Sequence, residues 1–118
     1  MSNVHIQTAA SNLRRASDDF KVSMDKVKSD ANDQKREMEK QIDKLKQQQN
    51  VLQVKARSSG DEPGKAEALL LSAGLNNEIS QLEKSVYDSQ DQARKQVDQI
   101  NSQINDLNNL AGKLENSA

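Results

Sequence analysis

Few residues in this chain could do chemistry. His5 is the single histidine, and general base work would need a carboxylate or hydroxyl held beside it. It stands alone near the start of a helical pattern. With no cysteine in the chain, thiolate nucleophiles, disulfides and thiolate zinc sites are excluded. Asp18 and Asp19 are adjacent, which makes them an exposed acidic pair on a helix rather than a metal set. Gly60 and Gly64 flank acids, where a phosphate-cradling loop would need a following Lys and Ser or Thr. These residues predict no catalytic site, cofactor, metal or small-molecule substrate, and so a chain that is not an enzyme.

The basic residues Arg14, Arg15, Lys26, Lys28, Lys35, Arg36, Lys44 and Lys46 are interspersed with Asp25, Asp30, Asp33, Glu37 and Glu39. Phe20 and Tyr87 are the only aromatics, so bases would find almost nothing to stack on. This is the pattern of a solvated, salt-bridged helix face, not of a nucleic-acid site. The charge is unevenly divided. Residues 1–60 hold twelve Lys/Arg and eight Asp/Glu, a net of +4, and residues 61–118 hold five and ten, a net of −5. A basic and an acidic segment favour pairing with each other over parallel pairing with themselves.

What must position these groups is helical. The one proline and two of the four glycines fall in Ser58-Ser-Gly-Asp-Glu-Pro-Gly64, and heptad-like apolar spacing flanks this segment on both sides. The first seam runs Ile6, Ala10, Leu13, Ser17, Phe20, Met24, Val27, Ala31, Gln34, Met38, Ile42, Leu45, Gln49 and Leu52. The second runs Leu69, Ala73 or Leu75, Ile79, Leu82, Val86, Gln90, Ala93, Val97, Ile100, Ile104, Leu107, Ala111 and Leu114. Steps of four and three mark a coiled-coil seam. Each seam contains two consecutive steps of four, at Gln34-Met38-Ile42 and at Leu82-Val86-Gln90 or Ser89-Ala93-Val97, and such stutters unwind a supercoil locally. They fall opposite each other if the chain folds back near residue 61.

The expected fold is therefore all-α: one helical-hairpin domain over 1–118, a long antiparallel coiled-coil-like pair. Helix one covers about 4–57, the turn 58–64 and helix two about 65–115; Gly74, Asn76 and Asn77 weaken helix propensity near 72–77, so a kink or a short separate helix before residue 75 is the alternative to one continuous helix. Each helix of about 50 residues would span about 75 Å. Ser59 or Asp61 can cap the second helix, and Pro63 fits its first turn. Gln47-Gln-Gln-Asn50 reads as helix surface. Leu70, Leu71, Leu75, Val51 and Val54 widen the apolar stripe near the turn, and Val4 and Leu110 do so at the other end. Surplus apolar positions call for another helix, so the expected partner is a second copy, forming a homodimeric four-helix bundle, or another helical protein. No apolar run reaches the about 20 residues that span a bilayer, and the start of the chain lacks a basic stretch followed by an apolar one. A cytoplasmic protein, or one exported by a signal-peptide-independent route, is expected.

Tyr87-Asp-Ser-Gln-Asp91 places an acid four residues after a tyrosine. With the hairpin plan, this resembles the WXG100 or ESAT-6-like family, small helical hairpins handled by type VII secretion, whose export signal uses a Tyr-x-x-x-Asp spacing. The resemblance implies an exported or secretion-associated role with Tyr87 and Asp91 as the signal pair. The turn here lacks the family's Trp-x-Gly, and the pair falls inside the second helix.

Overall fold

A computed structural model describes residues 2–117. They form two helices, α1 (Ser2–Ser58) and α2 (Glu62–Ser117), packed as an antiparallel hairpin, with no strand among the described residues. Only Ser59, Gly60 and Asp61 join them. At the end of α1 the Ser58 hydroxyl donates to the Val54 carbonyl (2.7 Å) and the Ser59 N–H to the Lys55 carbonyl (2.9 Å). Lys55 and Arg57 in this last turn complement the negative end of the helix dipole. The Asp61 N–H donates to Ser59 Oγ (3.2 Å), whose own proton reaches the Asp61 carbonyl (3.1 Å). That carbonyl also accepts the first helical bond of α2, from the Lys65 N–H (3.0 Å).

The connection is shorter than the seven residues expected from composition. Pro63 and Gly64 lie in the first turn of α2, where a missing N–H leaves no partner unsatisfied, and Glu62 adds an acid at the dipole's positive end. No described residue has a positive φ, so Gly60 is not needed for a left-handed step. α2 continues through Gly74 without interruption. The helix-forming residues on either side outweigh one glycine, which costs about 0.5–1 kcal/mol relative to alanine.

The hairpin divides into two units. In the turn unit, Asn32–Gln90, the buried positions are Ile42 and Ala56 on α1 with Ala68, Ser72 and Ile79 on α2. The sequence spacing alone starts the second seam at Leu69, whereas the structure starts it at Ala68 and Ser72 and leaves Leu69 56% exposed. Counting back from Ile79 through Leu75 in steps of four and three lands on Ser72 and Ala68. Near so short a turn the helix backbones lie close, and small side chains fit where leucine would force them apart. Gln49, the seam position within the polar run, turns to the facing helix: its Nε2 donates to the Ser72 carbonyl across the hairpin (3.1 Å). At the stutter the Ser89 hydroxyl donates to Gln34 Oε1 (2.8 Å), so the two seams change step against a polar pair.

In the open-end unit, Met1–Ala31 with Asp91–Ala118, the buried positions are Ala10, Ser17, Ile104 and Ala111. Ser17 is 1% exposed, and its hydroxyl has no hydrogen-bond partner. An unpaired buried hydroxyl loses its water without compensation, and serine is a weaker helix former than alanine. Ser17→Ala is therefore expected to stabilise the hairpin by about 1–2 kcal/mol, read as a higher urea midpoint. A lower midpoint would show that the hydroxyl is satisfied in solution.

Candidate functional site

His5 is exposed, as are Asp18 and Asp19. Among the described residues no group of three His, Cys, Asp or Glu could hold a metal, and no helix is long and apolar enough to cross a membrane. Three surface depressions are open grooves. One of about 340 Å³ lies beside Ile42 and Val86 among Glu39, Asp43, Lys46 and Glu83. Two more, of about 330 and 530 Å³, flank the turn, beside Leu71 and Leu69 respectively.

Exposed ion pairs bridge the two helices. Lys46 pairs with Glu83 at 4.0 Å in the turn unit. In the open-end unit the Arg14 guanidinium forks onto the Glu115 carboxylate, its Nε donating to Oε1 at 3.2 Å. Hydrogen bonding by Arg14, aided by its positive charge, holds the Glu115 carboxyl below the usual carboxylate range and raises the guanidinium's own pKa. A carboxyl whose folded pKa is depressed contributes stability that is present above the unfolded pKa and is lost as pH falls through the folded value. Arg14→Gln is expected to return Glu115 to the ordinary glutamate pKa in an NMR titration and to remove its part of the acid sensitivity. An unmoved Glu115 titration would show that the pair does not persist in water.

Tyr87 and Asp91 lie one turn apart on α2, the first exposed and the second half-buried. Tyr87 is 71% exposed. Asp91 accepts from Arg94 (2.5 Å) and pairs with Lys95 (3.2 Å). Hydrogen bonding first by Arg94, then by Lys95, pulls its pKa down.

The helix-packing candidates fall into three groups. Ile42, Ile79 and Ile104 are buried. Leu13, Phe20, Met24, Val27, Met38, Leu45, Leu52, Leu75, Leu82, Val86, Val97, Ile100, Leu107 and Leu114 are half-buried between the helices. Leu70 and Leu71 point to solvent at 74% and 52% exposed. Near them Leu69, Val51 and Val54 are 50–60% exposed, and Val4 and Leu110 are 65% and 51% exposed in the open-end unit. Val22, 69% exposed on α1, carried no signal in the spacing because it lies off the seam.

Two helices can cover only one side of each seam residue, which is why most large apolar side chains stay half wet and why the fully buried ones are Ala and Ser. The turn-end leucines and valines are the candidate functional surface, one suited to packing against helix. Compared with known proteins, the chain matches no family model, no curated protein and no solved structure.

Proposed function

We propose that this chain is a non-enzymatic interaction module, a helical hairpin that associates through apolar side chains on its outer surface, with a second copy of itself as partner. One observation carries the reading. The side chains buried below 2% exposure are Ala10, Ser17 and Ala111, while Val51, Val54, Leu69, Leu70 and Leu71 in the turn unit are 50–74% exposed. Exposed clusters of large apolar residues are characteristic of interaction surfaces. An adaptor, an assembly subunit or a chaperone-like accessory would work this way. The test is the solution mass by light scattering over a concentration series. Association predicts about 26 kDa, twice the 13.1 kDa chain. A constant 13.1 kDa species would refute self-association.

A second reading is export, or a secretion-associated role, by a signal-peptide-independent route. It is supported by the exposed Tyr87 phenol one helical turn before Asp91. Against it stands the engagement of Asp91 with Arg94 and Lys95. Expression in a host with such a route tests it: loss of extracellular protein in Tyr87→Ala would support export, and retention of wild type inside the cell would refute it.

A further inference from the structure

The outer face of α2 in the turn unit carries a second stripe, separate from the seam against α1. Glu67, Leu70, Gly74, Asn77, Gln81 and Lys84 recur at steps of three, four, three, four and three, and all six are exposed. We infer that this stripe is the self-association surface, and that a second copy of α2 packs on it antiparallel about a two-fold axis between Gly74 and Asn77. This deepens the self-association proposed above and rests on it.

Three observations point to this occupant. The first is symmetry. The step pattern reads the same in both directions, so an antiparallel copy meets it in register. Glu67 then faces Lys84 of the second copy, Leu70 faces Gln81, and Gly74 faces Asn77, each contact occurring twice as an isologous interface requires.

The second is charge. In the chain with 30% charged residues, none lies between Glu67 and Glu78. Along the stripe the uncharged stretch is bounded by one acid and one base, and no ion pair within the hairpin involves Glu67 or Lys84 among the described residues. Antiparallel pairing matches these charges, whereas parallel pairing would set Glu67 on Glu67 and Lys84 on Lys84. The outer face of α1 offers no such match. Antiparallel self-pairing of its Lys40, Lys44, Gln47, Val51 and Val54 stripe would place both lysines against valines.

The third is Gly74. It lies inside a continuous helix, has no positive φ, and a Cβ there would meet nothing within 4 Å. Nothing in the hairpin requires glycine at a place where it weakens the helix. A crossing helix does, because the absence of a side chain lets two backbones approach and leaves room for Asn77 of the second copy. Leu71, one turn from both Glu67 and Gly74 in the sequence, flanks the same stripe and would be covered with Leu70.

Sedimentation equilibrium on the full chain tests this with exposed-site variants whose helicity is checked by circular dichroism. Glu67→Lys sets two lysine pairs across the axis and is expected to weaken the dimer about tenfold. Adding Lys84→Glu in the same chain restores the pairing and should return the dimer to wild-type strength. Leu70→Glu at the centre should weaken it about a hundredfold. If wild type dimerises but Glu67→Lys and Leu70→Glu leave the dissociation constant unchanged, the α2 face is wrong while self-association stands. If Glu67→Lys weakens the dimer and the added Lys84→Glu does not restore it, the antiparallel register is wrong. A wild type that stays monomeric throughout overturns both self-association and this face.

Discussion

Ile79→Ala is expected to destabilise the hairpin by about 2–4 kcal/mol. Ile79 is 4% exposed and Ile42, at 7%, is the other large side chain buried in the turn unit. Removing three carbons takes away the transfer free energy of those groups and leaves a hole that the neighbours fill only in part. The value should fall in the lower half of that range, because a site walled by two helices can collapse, or admit water, more readily than a closed core. Against a typical domain stability of about 5–15 kcal/mol this is a large fraction. Urea unfolding followed by circular dichroism measures it, with Val22→Ala as control. Val22 is 69% exposed, and its truncation should change stability by no more than about 0.5 kcal/mol. Equal effects at the two positions would mean that Ile79 does not face α1.

Ala111→Leu should cost about 1–3 kcal/mol for the opposite reason. Ala111 is 0% exposed and Ala10 is 1% exposed, so the open-end helices meet there with no space for three more carbons. The added side chain must take a strained rotamer or push α2 outward. Pushing α2 outward also separates Glu115, one turn further along, from Arg14. The substitution is therefore expected to raise the Glu115 pKa toward its ordinary value while lowering the thermal midpoint. Ala9→Leu, on an exposed position of α1, should do neither. An Ala111→Leu variant as stable as wild type would show that the helices are further apart than the buried alanines imply.

Much of the fold is legible in the residues. Two runs with three-and-four spacing and one break containing Pro63 leave few alternatives to a hairpin, and the matched stutters locate the level where Gln34 meets Ser89. What apolar counting misreads is the stretch next to the turn. Leu69 attracts a seam assignment because it is large and apolar, yet the close approach set by a three-residue connection selects Ala68 and Ser72. The spacing puts Gln49 on the seam, but the polar run around it does not show that its side chain meets the Ser72 carbonyl of the facing helix. The depth of Ser17 was equally illegible, since the spacing marks a seam position without saying how close the backbones come there.

The candidate surface was only half legible. Surplus leucines and valines near the turn are visible in the sequence and are exposed in the structure. The symmetric stripe from Glu67 to Lys84 emerges only once the α2 seam is known, because shifting that seam by one residue rotates every outer position with it.

The most direct test of the account is hydroxyl-radical footprinting of the wild-type chain at low and high concentration. It reads the solvent exposure of individual aliphatic side chains. At low concentration Leu70 and Val22 should be oxidised readily while Ile79 and Ile104 are protected. As the concentration rises, Leu70 should become protected and Val22 should remain reactive. Leu70 staying as reactive as Val22 at every concentration would contradict the claim that this hairpin's outer leucines are covered by a second copy.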